Sequence, residues 1–491
     1  MGNDRNDQNI PPDPIGRMVR DRTPDPNESD ENIADELLTL YFGSGGLERL
    51  QLPFAPTLMR RSPPTKTLAL ILLFCVPWSG LGCMVAIPAS DAPLVLPTES
   101  FAGRQSECLP QFPDHDGWYG GDAAYSVPLP IDEGRVSLWL FGDSFVQRPG
   151  TPKGRAYPFV HNTIGISHCE SGGVWSLETF WHRDELGTPR AFFVPGPGMD
   201  WVRLAVRETG APPYYWPFDG FIAHDILFVG LLRVIRSEPR GPFNLPFRLV
   251  GMDLARIENY RDTPTDWRIQ ISSLSNNSSA FPGSAFVETT SHIHAFAFFD
   301  RGDGRTPRML SRLNRNALVQ WQPDLSNALE YLASDSQWRP GFEPDKAKII
   351  MQDDASEMSV HFDSLRKIWI AIYSNLARTG EARIPEAVQI RTARSLAGPW
   401  SKTRKLTSIP ETDPDHSQSV DENLLCYAAK AHPQFSSASK LIVTYVCNLV
   451  ATSSAEALTI LQRLRERVDL YRPRAIPVSI FPTLELAPDL D

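Results

Sequence analysis

Short apolar segments separated by turns dominate the chain from about residue 112 onward. The clearest pair of strands is predicted over residues 123–129 and 136–141, joined by a D-E-G turn of typical loop formers. Because an antiparallel hairpin brings its two ends together, Asp122 and Asp143 are predicted to lie at the same end. The pattern predicts a mainly β protein whose active face is at that end.

The same arrangement, a small or polar residue followed by two apolar strands, occurs five times. We interpret the five copies as the sheets of a five-bladed β-propeller, an all-β fold. The first strand of each blade would line a central channel, so the residues that begin the copies would meet at one mouth. The alternative is that these acidic residues have no functional role and simply begin turns before strands, where aspartate is common. The copies begin at Asp122, Asp219, Ser284, Glu357 and His432.

One segment near the C-terminus departs from the β pattern. Ser453 to Glu456 has the spacing of a capping box and precedes apolar residues at helical period. We predict a short amphipathic helix inserted in the last blade, with a packing role. The segment from Tyr471 to Arg474, with the apolar residues after it, is predicted to supply a closing strand.

The N-terminal part of the chain differs in composition from the rest. The formal net charge is −10, and residues 1–58 hold 11 acidic and 5 basic residues, so the remainder is near neutral. Residues 1–58 are predicted to be a disordered acidic extension, with Met59 as an alternative true start. We predict a propeller domain over residues 112–491, after a linker over 84–111. No basic stripe indicates a nucleic-acid partner.

Residues 59–83 have the pattern of a lipoprotein-type export signal. A basic flank and a short apolar core precede the sequence G-L-G-C, which ends at Cys83. This predicts lipid attachment at Cys83 and an exported protein that is anchored to the cell envelope or secreted. The alternative is a membrane anchor over residues 68–87, although the proline at position 77 weakens a helix there.

Four cysteines remain after the signal segment, and they allow three pairings. Export makes disulfides permissible, while free buried cysteine is the alternative. Two of the four flank one predicted hairpin. The four residues are Cys108, Cys169, Cys426 and Cys447.

Several motifs, taken in order, resemble a family of exported five-bladed propellers that was long described as a domain of unknown function. Its characterised members include endo-D-arabinanases. The motifs span about residues 117–474. They are G-G-D-A-A-Y-S-V-P-L, L-W-L-F-G-D-S-F-V, H-N-T-I-G-I, Y-W-P-F-D-G, E-M-S-V, A-G-P-W-S and A-H-P-Q-F. The resemblance implies a glycoside hydrolase, related to furanosidase-type propellers with three acids at the channel mouth.

Glycoside hydrolysis needs one protonated carboxyl and one ionised carboxylate. Acids that crowd together supply both forms, because repulsion and desolvation raise one pKa above another. The prediction takes Glu357 as the general acid, Asp122 or Asp143 as the base or nucleophile, and Asp219 as the acid that tunes the others.

Residues near these acids are predicted to bind a polysaccharide or oligosaccharide substrate. Trp118 and Trp216 precede two of the acids, and their flat rings suit sugar faces, with core packing as the alternative. His161, Asn162 and His432 are the other candidates, either for sugar hydroxyls or as structural residues. No cofactor is expected to be required, and calcium or another cation in the channel is compatible with the pattern.

Two other functions compete with glycoside hydrolysis. A surface propeller that binds glycan without cutting it would use the same residues. A serine ester hydrolase would use Ser144 of the G-D-S sequence after a strand, with the D-P-D-H sequence at Asp413 as its partner. The chain lacks the strand–helix alternation of an α/β hydrolase, and His292 and His294 lack a third metal ligand.

Overall fold

The computed structural model describes residues 105–147, 159–240, 245–300, 306–352, 357–374, 387–413, 421–451 and 456–480. The acidic extension, the export signal with Cys83 and most of the predicted linker lie outside the described residues. None of the described helices is long and apolar enough to cross a membrane.

Five larger antiparallel sheets follow one another along the chain, which confirms the mainly β prediction. We number them sheets I to V. Sheet I contains β2 (Tyr125–Leu129), β3 (Val136–Phe141), β6 (Thr163–Cys169) and β7 (Trp175–Phe180). Sheet II contains β10 (Tyr214–Ala223), β11 (Ile226–Arg240), β12 (Leu245–Ile257) and β13 (Ile269–Ser275). Sheet III contains β14 (Ala280–Glu288), β15 (His292–Phe299), β16 (Arg308–Asn314), β17 (Leu329–Leu332) and β18 (Trp338–Pro340).

The remaining strands complete the described architecture. Sheet IV contains β19 (Ser359–Asp363), β20 (Ile368–Ser374), β21 (Ala387–Ala393) and β22 (Arg404–Ser408). Sheet V contains β23 (Leu424–Ala431), β24 (Lys440–Leu449) and β25 (Arg474–Ser479). Two small sheets are formed by β1 (Trp118–Gly121), β4 (Ser144–Val146) and β5 (Phe159–Val160), and by β8 (His182–Arg183) and β9 (Pro189–Arg190).

Three α-helices occur among the residues that the structure describes. They are α1 (Asp200–Thr209), α2 (Arg315–Val319) and α3 (Ala457–Glu466). Helix α3 confirms the predicted C-terminal helix, and its Ile460 and Leu464 are buried in the core beside sheet V. The capping residue predicted at Ser453 lies outside the described residues. Single turns of 3-10 helix occur at Asp132–Gly134, Pro264–Asp266, Ser326–Ala328, Pro344–Lys346, Pro433–Phe435 and Val468–Tyr471.

The hydrophobic core lies between neighbouring sheets. The largest cluster joins sheets I, II and III, a second joins III and IV, and a third joins IV and V. Sheet V also packs against sheet I, where the ring of Trp139 stacks on Phe435 with centroids 5.7 Å apart. Each sheet therefore shares buried apolar surface with the next, and the last sheet does so with the first.

The first strands of successive sheets lie next to one another. Strand β2 contacts β10, β10 contacts β14, β14 contacts β19, and β19 contacts β23. Just after β23, Gln434 donates a hydrogen bond to Ser126 of β2, and His432 Nδ1 lies 2.6 Å from the same hydroxyl, so the fifth sheet also contacts the first strand of sheet I. Residues at equivalent positions of the five first strands are consequently brought close together.

The two ends of the described chain meet beside β1. Arg472 Nε donates to the carbonyl of Tyr119 over 2.9 Å, and the backbone of Tyr471 packs so closely on Gly120 that a Cβ there would lie 2.5 Å from a carbonyl oxygen. The predicted closing strand is β25, which pairs with β24 as the third strand of sheet V.

The four described cysteines form two disulfide bonds. Cys108 pairs with Cys169, and Cys426 pairs with Cys447 across β23 and β24. The structure therefore selects one of the three pairings that the sequence left open.

Candidate active site

The β2–β3 hairpin brings Asp122 and Asp143 together, as predicted. Asp122 N–H donates to the carbonyl of Asp143 over 3.1 Å, and Gly142 N–H donates to the carbonyl of Asp122 over 3.1 Å. Glycine is required at position 142, because a Cβ there would lie 2.3 Å from Asp122 Oδ1. Ala123 and Ala124 have positive φ angles of 65° and 55°, a conformation alanine rarely adopts. The backbone beside the first acid is thus held in a strained conformation.

Asp122 is surrounded by groups that affect its proton affinity. Its Oδ2 accepts hydrogen bonds from the hydroxyls of Tyr427, over 2.6 Å, and Tyr471, over 2.8 Å. Burial raises the pKa of Asp122 to about 8, and the charges of Asp143 and Glu357 add to the rise, while the two tyrosines oppose it. This carboxyl therefore holds a proton near neutral pH.

Asp143 lies in a more open position beside aromatic residues. Its Oδ1 accepts a hydrogen bond from Trp216 Nε1 over 2.9 Å and lies 3.1 Å from His161 Nδ1. The His161 ring stacks on Tyr214 with centroids 3.5 Å apart. The side chains of Asp143 and His161 are 18% and 30% exposed. Two predicted sugar-binding residues, Trp216 and His161, thus adjoin one predicted catalytic acid.

Asp219 is held by the backbone of β10 and β14. Its Oδ1 accepts from Gly220 N–H and its Oδ2 from Phe286 N–H, both over 2.8 Å. Burial raises the pKa of Asp219 to about 7, although these two donors and the charge of Lys430 oppose the rise. Asp219 is therefore a fixed, half-buried carboxyl whose charge changes near neutral pH.

Glu357, just before β19, forms an ion pair with Lys430 of β23. The ammonium group also donates to the carbonyl of Ala428 over 2.8 Å and lies 4.2 Å from the centroid of the Tyr125 ring. Burial lowers the pKa of Lys430, and the nearby carboxylates oppose that decrease. Glu357 was predicted to be the protonated general acid, but an ion pair with a buried ammonium favours a charged carboxylate.

Lys430, Tyr427 and Tyr471 were not among the predicted site residues. Strand β23 has a bulge between Tyr427 and Lys430, where Ala428 has a positive φ of 60°, and a bulge changes the direction of neighbouring side chains. The sequence signal that was available is a single lysine inside the buried run L-L-C-Y-A-A-K-A. No comparable signal marked Tyr471, which comes from the opposite end of the chain.

Two predicted substrate-binding residues, Trp118 and Asn162, are buried in contacts with other protein groups. Trp118 is 1% exposed, and its indole N–H donates to Thr163. Asn162 is fully buried, and its amide bonds to the backbones of Phe193 and Tyr215. In this structure neither side chain presents a surface to a sugar, because its polar atoms already bond to protein groups.

His432 lines the same cavity as Asp219 and Lys430, but its ring nitrogens contact Ser126 and Thr444 instead of the predicted acids. It follows the last residue of β23 instead of opening a first strand, so the fifth copy of the pattern was misaligned with the others. Its ring nitrogens lie 2.6 Å from Ser126 Oγ and 2.7 Å from Thr444 Oγ1, and it is 1% exposed. Burial lowers the pKa of His432 to about 3.

A cavity of about 230 Å³ extends along the first strands. Asp219 and Lys430 line it beside the acidic cluster, and Ser126, His361 and Trp369 are among its other lining residues. The other three predicted acids do not line this cavity.

Ser144 has none of the exposure that an ester-cleaving nucleophile needs. It is fully buried, its hydroxyl donates to the carbonyl of Gly142 over 2.9 Å, and it lies 3.0 Å from Thr163 Oγ1. Residues 414–420, which contain the proposed partner histidine, lie outside the described residues.

The described side chains contain one candidate group of metal ligands. Among them, the one group of three potential ligands that lies close enough combines Glu411 with Cys426 and Cys447. The two cysteines are disulfide-bonded and so offer no thiolate. His294 is 1% exposed and adjoins Trp338, which agrees with its predicted structural role.

The fold and the site define an all-β protein of successive antiparallel sheets with an acidic cluster where their first strands meet. The family model described as a domain of unknown function, DUF5005, matches residues 111–481, and the chain belongs to this family. Among curated proteins, none matches the sequence.

Solved structures provide a further comparison. A candidate hydrolase from Bacteroides ovatus ATCC 8483 matches with a TM-score of 0.52 and 16% identity, over 78% of this chain and 88% of the other, which shows a likeness of fold. An α-L-arabinanase from Cellvibrio cellulosa, in complex with arabinohexaose, matches with a TM-score of 0.38 and 9% identity, over 73% and 91% of the two chains. An endo-arabinase from Bacteroides thetaiotaomicron matches with a TM-score of 0.35 and 9% identity, over 74% and 94%.

Proposed function

We propose that the protein is a glycoside hydrolase that cleaves a furanoside-containing, arabinan-like polysaccharide by carboxylate acid–base catalysis. The observation that carries this proposal is the convergence of four carboxyl groups from sheets I, II and IV, three of which surround Lys430 and the fourth of which lies beside Asp122. They are Asp122, Asp143, Asp219 and Glu357. The furanoside preference rests on the resemblance of the sequence motifs described above.

The cluster contains both forms of carboxyl that glycoside hydrolysis requires. Asp122, whose pKa is raised to about 8, holds a proton near neutral pH. Glu357 is paired with the Lys430 ammonium group, and Asp143 Oδ1 accepts a hydrogen bond from the Trp216 indole. We therefore propose Asp122 as the proton donor and Glu357 or Asp143 as the base or nucleophile, with Asp219 tuning the others.

The arrangement of the sheets supports a five-bladed β-propeller. Five successive sheets contact one another through their first strands, and the fifth packs on the first. In this fold the acids lie at the mouth of the central channel, where Trp216 and His161 form an aromatic wall for a sugar.

The chain is proposed to work outside the cytoplasm, attached through lipid at Cys83 or secreted. Its two disulfides support this proposal, since such bonds persist in oxidising compartments. Intact-mass measurement of the protein from its host tests it. A mass showing cleavage before Cys83 with added lipid is expected, and retention of residues 60–82 would instead indicate a membrane anchor.

Incubation of the full-length protein with arabinan, xylan and arabinogalactan tests the proposed activity. Release of reducing sugar from arabinan is expected, with Glu357→Gln as the inactive control. If the protein binds a glycan in the panel but releases no sugar, it is a non-catalytic glycan-binding propeller. Acyl release without sugar release would favour the ester hydrolase.

A second experiment separates the proton donor from the base. An aryl furanoside with a good leaving group needs little protonation, so it should restore much of the activity of a variant that lacks the acid but not of one that lacks the base. Rescue is expected for Asp122→Asn. Rescue of Glu357→Gln instead would restore the assignment made from the sequence.

A further inference from the structure

Lys430 is a cation enclosed by acidic side chains. The described charged and titratable groups around it come from four elements packed together: Asp122 and Tyr125 at β2, Asp219 on β10, Glu357 before β19, and Tyr427 and His432 on or after β23 itself. The charge of each of the three carboxylates favours the ammonium form. Its side chain is 1% exposed, so water contributes little to its solvation.

The contacts of the ammonium group fix its position. It donates to the Glu357 carboxylate and to the Ala428 carbonyl, and it lies on the face of the Tyr125 ring. A lysine has three N–H donors, and these three contacts account for them. The Tyr125 hydroxyl in turn donates to the carbonyl of Ser284 over 3.1 Å. The ammonium is therefore held at one point by sheets I, IV and V.

A fixed positive charge among several carboxyls has a predictable effect on their protonation. It stabilises the ionised form of every carboxyl near it, and without it the carboxylates repel one another and bind further protons. The three carboxyls near Lys430 share this single described cation. Tyrosine and the neutral form of histidine, the other titratable groups here, add no positive charge.

We propose that Lys430 is a positioning residue of the active site, which holds the Glu357 carboxylate in place and acts as the counter-ion that limits how many protons the acidic cluster carries. This role rests on the proposed glycoside hydrolysis for its effect on turnover. Its effect on the titration of the carboxyls is independent of any substrate.

The experiment compares Lys430→Met with Lys430→Arg in the full-length protein. The titration of Asp219 is followed by NMR of protein labelled at the aspartate carboxyl carbons, and an Asp219→Asn sample assigns the signal. Lys430→Met should move the Asp219 midpoint to higher pH by about one unit or more, as loss of a neighbouring opposite charge implies. Lys430→Arg, which keeps the charge, should leave the midpoint near that of the wild type.

An unchanged Asp219 midpoint in folded Lys430→Met would overturn the proposal, because that result is expected if the lysine side chain only fills space. If this variant does not fold, Lys430→Gln provides a neutral side chain whose amide can still donate to the Glu357 carboxylate and to the Ala428 carbonyl. The Asp219 midpoint in Lys430→Gln should rise in the same way as expected for Lys430→Met. An unchanged midpoint in folded Lys430→Gln would likewise overturn the counter-ion role of Lys430.

Turnover provides a separate measurement. If arabinan is cleaved, the pH optimum of kcat/KM should move upward in Lys430→Met and remain in place in Lys430→Arg. If no glycan is cleaved by the wild type, the proposed function fails, while the NMR titration still decides the role of Lys430.

Discussion

Two buried cations in this protein have opposite surroundings. Arg233 of β11 pairs with Asp253 of β12, and its guanidinium also donates to Ser273 and Asn276 over 2.8 and 2.7 Å. The Tyr215 hydroxyl donates to the same aspartate. Both charged side chains are nearly inaccessible, at 4% and 1% exposure. Here one positive charge meets one negative charge, and the hydrogen bonds all come from neighbouring strands of sheet II or from the segment just after it.

The Lys430 site contains one cation and several acids, drawn from four sheets. Asp122 and Asp219 have raised pKa values of about 8 and about 7 there. A balanced buried pair with local partners is costly to break, whereas an excess of acids at the meeting point of several sheets costs stability and provides protons near neutral pH. The difference in charge balance, more than burial, distinguishes the candidate active site from a structural ion pair.

The largest expected effect comes from Glu357→Gln. Because this change removes a charged carboxylate from the cluster but keeps its shape, glycan cleavage should fall by a factor of about 10²–10⁴. Glu411→Gln is the matched control, since Glu411 is also a partly buried glutamate in an ion pair, with Arg474, and does not line the cavity described above. Its rate of sugar release should stay near that of the wild type. Equal losses in both variants would mean that any broken ion pair impairs the protein.

Asp253→Asn tests the structural side of the comparison. The change leaves the Arg233 guanidinium without its buried counter-charge, so the free energy of unfolding should fall by about 3–5 kcal/mol. Denaturant unfolding measures this. Glu357→Gln should destabilise less, because Lys430 still has Asp122 and Asp219 nearby. If the two losses are equal, charge balance does not separate the two sites.

The stability of the wild type should fall as pH rises from about 6.5 to 8. Asp122 and Asp219 have folded-state pKa values above their unfolded values, so in this window the folded protein binds more protons than the unfolded chain. Buried histidines with lowered pKa values, such as His294 and His432, affect the stability of the protein mainly below this window. There they lower the free energy of unfolding as pH falls. Each titrating acid contributes at most about 1.4 kcal/mol per pH unit.

Asp122→Asn should remove part of that decline, as measured by thermal unfolding at several pH values. The variant retains an oxygen that accepts from the tyrosine hydroxyls. Asp253→Asn is the control, and it should lower stability without removing the decline. A wild type whose stability rises between pH 6.5 and 8 would contradict the charge states assigned to the cluster.

The smallest effect is expected for Ser144→Ala. The serine hydroxyl makes buried hydrogen bonds next to Asp143, so its loss should cost about 0.5–1.5 kcal/mol of stability. Glycan cleavage should stay close to the wild-type rate at 25 °C. Abolished turnover in a folded Ser144→Ala protein would favour the ester hydrolase over the carboxylate mechanism.

Local sequence patterns were sufficient to predict the strands and one part of the candidate active site. The hairpin of β2 and β3, the C-terminal helix and the proximity of Asp122 and Asp143 all depend on residues close in sequence. Such contacts follow from turn residues and from apolar periodicity, so the sequence alone determines them. The four predicted acids lie in one neighbourhood: Asp122, Asp143 and Glu357 stand just before strands, and Asp219 lies within β10.

The tertiary structure decided which residues surround those acids. A bulge in β23 places Lys430 and Tyr427 at the cluster, while His432, which the repeat pattern selected, lies beyond the strand. Tyr471 reaches Asp122 because the C-terminal segment packs on β1. Trp118 and Asn162 were predicted to face a sugar but are enclosed by neighbouring strands. The bulge, the packing of distant segments and the resulting desolvation all depend on contacts between residues that are far apart in the chain. These long-range contacts set the charge states on which the proposed chemistry depends.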